Sequence, residues 1–254
     1  MPRPALRHAT FALAALVATS SPAAPQHDDP DDLTSLSLEQ LVNVPVYSAS
    51  KFVQRASDAP SAVTVITAQD IRTFGYRTLA DALRSVRGLY VHYDRYYSYL
   101  GLRGFARPGD YNSRFLLLLD GNRLNEAVYD QASIGREFVL DPDLIDRIEF
   151  VPGPGSSIYG NNAFFGVINV ISRQGAAIDG VEASAEIGSG RTQKERISYG
   201  RRYESGLDVV LSGTHFDSRG ANRYYQAHDA PPDSDGIARG TDYERAPSLY
   251  GKVS

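Results

Sequence analysis

The chain has 254 residues, 42% of them hydrophobic, with 26 basic against 30 acidic side chains and a formal net charge of −4. The acidic balance argues against nucleic acid as a partner, because that polyanion is met by a basic face. Cysteine is absent, so no disulfide framework holds the fold, and stability must come from packing and sheet closure.

Arg3, Arg7 and His8 open the chain, residues 9–18 form an apolar run, and Ser21, Pro22 and Ala23 supply a small-residue cleavage site. This is the layout of a secretory signal peptide over residues 1–23. The apolar run is about half of the ~20 residues a spanning helix needs. Cleavage after Ala23 removes Arg3 and Arg7, leaving 24 basic against 30 acidic residues. Residues 25–32 are acidic and proline-bearing, a solvated tail within a flexible start at 24–46. Residues 33–41 can form a helical turn or two. Val44, Pro45, Val46, Tyr47, Ser48 and Ala49 alternate in character around a proline, which predicts an extended segment with unpaired backbone groups. Such a segment can be added to a partner's sheet edge.

A globular pattern begins near Pro60. Residues 62–67 read as a β-branched strand, and 68–74 as a short helix with Asp70 near its start. Leu79, Leu83 and Val86 recur at helical spacing, with Thr78 as N-cap and Gly88 as the stop. Strands follow at 89–91, 100–105 and 115–119, the last apolar on both faces as a buried central strand requires. Asp120-Gly121 then turns the chain. Ile148, Phe150 and Val151 form the next strand and residues 167–171 another, joined through the tight turn Gly153-Pro154-Gly155.

After Gly180 the period changes to two. Val181, Ala183, Ala185 and Ile187 alternate with Glu182, Ser184 and Glu186. Ile197 and Tyr199 alternate with Arg196 and Ser198, and Leu207, Val209 and Leu211 with Asp208, Val210 and Ser212. A long Asp/Gly/Pro-rich loop at about 220–247 precedes a last strand, 248–254. Such strands, with short turns at one end and a long loop at the other, fit a transmembrane β-barrel, although alternation alone favours a soluble antiparallel sheet.

The segment IDRIEFVPGPGSSIYGNNAFFGVINVISR (145–173) resembles the closing signature of the plug domain of TonB-dependent outer-membrane receptors. PSAVTVITAQDI, TLADALRSVRGLYV, LRGF and LLLLDGNRLN precede it in that family's order, so the resemblance covers about residues 44–175. It implies an α+β plug domain with a small mixed sheet at 47–176, followed at 177–254 by the first antiparallel strands of a transmembrane β-barrel in outer-membrane lipid. It also implies a receptor that takes up a scarce extracellular small ligand, such as an iron-siderophore, haem, cobalamin or oligosaccharide, with no cofactor. The segment 44–49 matches the box that pairs with TonB, the energising partner. Barrels of this class close with about 22 strands, against about four here, so the chain is expected to be the front part of a longer receptor. The alternatives are a plug-only periplasmic module competing for TonB, or a nonfunctional fragment.

The loop 92–99 (HYDRYYSY) is rich in tyrosine, whose large face and polar tip suit ligand capture. Because the family's corresponding loop faces outward, Arg95, Tyr96 and Tyr97 are the ligand-contact candidates, with Tyr129 from the later loop. Arg103 matches the arginine of the family's ionic lock between plug and barrel. Arg147 and Glu149 are its further candidates, as charges at strand edges that need pairing. Pro152 stands where the commonest family pattern has an arginine before Gly-Pro. No enzyme is expected: the five histidines are scattered, and Gly153-Pro154-Gly155-Ser156-Ser157 lacks the lysine of a phosphate loop.

Overall fold

The computed structural model describes residues 45–46, 48, 54–55, 62–107 and 109–254. The expected signal peptide, acidic tail and helix at 33–41 lie outside the described residues, as do Val44, Tyr47 and Ala49. Where the extended segment is described, its backbone is paired rather than free: β1 (Pro45–Val46) runs antiparallel to β2 (Gln54–Arg55).

β3 (Thr64–Thr67) leads into α1 (Ala68–Phe74), whose start is fixed by a capping box. The Thr67 hydroxyl accepts the Asp70 N–H at 3.1 Å, and the Asp70 carboxylate accepts the Thr67 N–H at 2.8 Å. The helix stops at Gly75, whose φ of 66° a side chain would oppose. α2 (Leu79–Arg84) is capped by Thr78 as expected, but it ends at Ser85, whose hydroxyl bonds back to the Ala82 carbonyl at 2.7 Å. Gly88 is therefore not the helix cap; at φ 88° it turns the chain into β4 (Leu89–Tyr93). β4 forms a hairpin with β5 (Ser98–Leu102). The expected strand at 100–105 breaks early, because Arg103 and Gly104 both take positive φ and close a turn onto Phe105.

β6 (Phe115–Leu119) and β7 (Asn122–Arg123) are joined by Asp120-Gly121, both at positive φ, as a two-residue primed turn demands. β8 (Ile145–Pro152) follows a 3-10 turn at Pro142–Leu144. The polar link after Gly155 is one helical turn, α3 (Ser156–Tyr159), and leads to β9 (Gly166–Ser172). The sheet runs β3-β8-β9-β6-β7, with only β6 and β9 parallel. One face presents Phe115, Leu117, Ile148, Phe150, Ile168 and Val170 to α1 and α2; the other gathers Leu116, Leu118, Val151 and Val167. Burial on both faces explains why Phe115 and the four leucines after it show no alternation.

α4 (Gly175–Ile178) connects this domain to a second sheet. β10 (Gly180–Gly188), β11 (Thr192–Arg202) and β12 (Asp208–Ser218) pair antiparallel in sequence. The segment expected as a plain loop at 220–247 holds a hairpin, β13 (Arg223–Ala230) with β14 (Ser234–Ala238), and the short β15 (Glu244–Arg245). β16 (Ser248–Val253) then returns along β12. Outward positions are apolar and exposed, Ile187 and Leu249 at 91% each, whereas Lys194, Arg196, Ser198, Asp208 and Ser212 are buried against the plug. The period of two has its physical cause here: one face is apolar and exposed, and the other is polar and packs inward.

Candidate functional site

Three loops converge beside the β4–β5 hairpin. Its own turn is organised by Asp94, whose carboxylate accepts the N–H groups of Tyr97 at 2.8 Å and Tyr96 at 2.9 Å and the hydroxyl of Tyr99 at 2.8 Å. Those bonds, the Tyr97 N–H foremost, hold the Asp94 carboxyl below its ordinary value, so the turn's tie is present at neutral pH and is lost as pH falls through that lowered value. In return Asp94 pushes the Tyr99 phenol up. Glu126 organises the second loop in the same way, accepting the Val128 N–H at 2.9 Å and the Tyr129 N–H.

Asn112 ties the loops together. It is buried at φ 56°; its carbonyl oxygen accepts the Leu100 N–H at 2.7 Å and its amide donates to Ser98 O at 2.9 Å and Ala132 O at 3.0 Å. Asn125 does likewise for Leu117 N, Phe115 O and Asp130 O. The result is an exposed tyrosine surface. Tyr111 and Tyr129 stack with centroids 4.9 Å apart, and Tyr97, Tyr99 and Tyr111 line a cavity of about 120 Å³ with Asp110, Gln131 and Glu137. Of the four expected ligand contacts, Tyr97 lines this cavity, Tyr129 stacks on its wall and Tyr96 projects into solvent. Arg95 reaches instead to Asp242 in the long loop, 3.6 Å away. That pairing joins the plug loop to the segment between β14 and β15.

The expected box is held at a second place. Val46 and Ser48 are buried. Glu149 accepts both the Ser48 N–H at 3.0 Å and the Ser48 hydroxyl at 2.5 Å, while the Tyr159 hydroxyl donates to Ser48 O at 2.9 Å. Arg147 pairs with that same Glu149 at 3.0 Å and with Asp146 at 2.9 Å. The structure therefore places Glu149 against Ser48, with Arg147 paired beside it. The reason is register, since Glu149 lies opposite Asn169 on the sheet face that Val151 and Val167 also occupy. Arg103 lies in an exposed turn and has no ion pair among the described residues.

The plug–barrel seam is built from other residues. Lys194 on β11 meets Asp141 at 2.9 Å, Asp143 at 3.2 Å and Glu186 at 3.4 Å. Arg196 lies 3.5 Å from Glu182 and 3.7 Å from Asp143, and Arg173 grips Glu182 through two nitrogens at 2.9 and 3.0 Å. Asp208 accepts the Gly175 and Ala176 N–H groups at 2.6 and 3.2 Å, which fixes α4. On β16, Lys252 lies 3.0 Å from Asp120 and donates to Ser172 Oγ at 2.8 Å, and the Tyr250 hydroxyl bonds the same serine at 3.0 Å. A cleft of about 480 Å³ along this seam is larger than the tyrosine cavity. Its basic groups are already engaged: Arg77 with Glu186, Arg136 with Glu244, Arg245 with Asp217 and Lys194 with Asp141. The smaller cavity is the one that the exposed tyrosine rings of the plug loops surround.

Sequence reasoning missed Asn112, Asn125, Asp141, Asp143 and Lys194. A signal existed for Lys194, because Lys194, Arg196 and Ser198 share the inward face of a strand whose outward neighbours include Ile197 and Tyr199. Nothing in the sequence marks the two asparagines, whose role depends on loops distant along the chain.

A family model described as the TonB-dependent Receptor Plug Domain matches residues 55–167. The vitamin B12 transporter BtuB of Vibrio cholerae serotype O1 is 31% identical over 201 residues, which cover 77% of this chain and 30% of that protein. The chain belongs to the TonB-dependent receptors. BtuB of Vibrio vulnificus is 29% identical over 183 residues, 69% of this chain and 28% of its own length. The chain thus spans under a third of the length of these curated relatives. Among solved structures, the alcaligin outer membrane receptor FauA of Bordetella pertussis aligns over 87% of this chain and 34% of its own, with a TM-score of 0.57 at 15% identity. The ferric-catecholate import receptor Fiu of E. coli K12 aligns over 72% and 25%, with a TM-score of 0.53 at 27% identity. As a TonB-dependent receptor, the chain is an outer-membrane protein, and its mixed-sheet plug followed by antiparallel strands is the architecture these relatives share.

Proposed function

We propose that this chain forms the plug and leading barrel strands of a receptor for active uptake of a scarce, large ligand such as vitamin B12 or a ferric siderophore. The observation that carries the reading is the pairing of a tyrosine-walled cavity on the plug with a box segment held on the same domain by Glu149 and Tyr159. In this reading residues 1–23 are the signal peptide, 24–46 a periplasmic lead, 47–176 the plug and 177–254 the start of the barrel. The tyrosine surface, including Tyr97 and Tyr129, with Tyr96 and Arg95 at its rim, captures ligand from outside. TonB pairs with residues 44–49 by strand addition, drawing Ser48 from Glu149 and remodelling the plug. Arg103 waits in its exposed turn for a barrel carboxylate. The work is binding and conformational change, not bond chemistry.

The test is uptake of radiolabelled vitamin B12 and of ferric siderophores by cells carrying this receptor as their sole route, with and without functional TonB. Ligand should bind the surface in both, and only TonB-proficient cells should accumulate it. Equal accumulation in both would overturn the proposal.

A further inference from the structure

The charges around the tyrosine cavity point to the chemistry of its ligand, an inference that rests on reading the cavity as the ligand site. The cavity wall carries two carboxylates, Asp110 and Glu137, and no ammonium or guanidinium group. Three nearby arginines are engaged elsewhere. Arg95 pairs with Asp242 at 3.6 Å, Arg114 with Asp110 at 3.6 Å, and Arg136 with Glu244 at 3.0 Å while its guanidinium lies 3.7 Å from the centre of the Phe216 ring. Glu137 differs: its carboxylate accepts the Gly135 N–H at 3.1 Å and has no ion pair among the described residues. Its side chain belongs to an exposed residue at the cavity rim.

The neutral groups are mixed. Tyr99 spends its hydroxyl proton on Asp94, so towards a ligand that oxygen can only accept. Carboxylates likewise accept and do not donate. The Tyr97 and Tyr111 hydroxyls and the Gln131 amide on the same wall can still donate, but a negatively charged ligand meets Glu137 with no cation on the cavity wall. We propose that the tyrosine cavity selects ligands that carry no net negative charge, with Glu137 as the residue that discriminates against polyanionic chelates. Specificity of this kind is built by repulsion of the wrong ligand as much as by attraction of the right one.

The experiment uses the receptor in outer-membrane vesicles and two probes, cyanocobalamin as a neutral molecule rich in amides and a ferric tris-catecholate as a trianion. Equilibrium binding should favour the neutral probe by about tenfold or more, a gap that added salt narrows. Glu137→Gln keeps an acceptor for Gly135 and removes the charge; it should improve trianion binding by about tenfold and so narrow the ratio between the two probes. Should the wild-type receptor hold the trianion as tightly as the neutral probe, or Glu137→Gln leave the ratio unmoved, the inference is overturned while the ligand-site reading stands. Tyr111→Ala separates the two: if it alters neither affinity, the site itself is misplaced. Failure of the wild type to bind either probe would overturn both.

Discussion

Replacing Lys194 with methionine is expected to lower the stability of the receptor by about 3–5 kcal/mol, the usual cost of leaving buried charges without their partner. Lys194 is the hub of the seam. Its side chain is 8% exposed, and Asp141, 3% exposed, loses its cation when the ammonium goes. Asp141 then keeps only the Thr214 hydroxyl at 3.2 Å and the Asp143 N–H at 3.0 Å as donors. Methionine preserves the aliphatic stem, so the loss reports charge and not a cavity. Adding Asp141→Asn should recover part of the loss, because the stranded carboxylate is then neutral. Urea melts in detergent micelles measure the effect, with Arg84→Ala as a control. That exposed arginine pairs with Asp81 one helical turn away and should cost no more than about 0.5 kcal/mol. A Lys194→Met melt indistinguishable from the wild type would mean the seam does not hold the plug.

Asn112→Leu should act on both stability and binding. The substitution strands the Leu100 N–H and the Ser98 and Ala132 carbonyls, all in a buried setting, at about 1–3 kcal/mol for each group left unsatisfied. A total loss of about 3 kcal/mol or more is expected. The same three groups belong to the strand and loops that carry Tyr97, Tyr99 and Tyr111, so ligand affinity should fall by at least about tenfold even where the protein remains folded. Asn112→Asp separates the roles, since it keeps the acceptor for Leu100 and loses both donors. Binding measured well below the melting temperature and unaffected by Asn112→Leu would show that the loops need no such staple.

Local rules made much of this fold legible in the sequence. Thr67, Asp70 and Thr78 announce helix starts because capping is a matter of three or four adjacent residues. Asp120-Gly121 announces a turn because both positions need positive φ. The strands after Gly180 are readable because one face is apolar and exposed and the other is polar and packed. Legibility ends where meaning depends on a distant partner. Gly88 resembles a helix cap but serves the next turn, since Ser85 ends the helix first. Glu149 reads in the sequence only as a charge at a strand edge, and the fold shows it accepting the Ser48 N–H and hydroxyl, 101 residues away. Tyr96 and Tyr97 are adjacent in sequence and differ in role, one projecting into solvent and the other walling the cavity. The seam charges Asp141 and Lys194 are 53 residues apart and become a pair only once the second sheet folds back.

The central claim is that the segment around Val46 is the handle by which the plug is moved. Val46→Pro removes the N–H that strand addition to a partner sheet requires, while Val46→Ala retains it and serves as the control for lost packing. Uptake and surface binding of the same radiolabelled ligand, measured side by side in TonB-proficient cells, decide the matter. The account predicts that Val46→Pro binds ligand as the wild type does and accumulates none above TonB-deficient cells, whereas Val46→Ala still transports. Undiminished accumulation by Val46→Pro would contradict it.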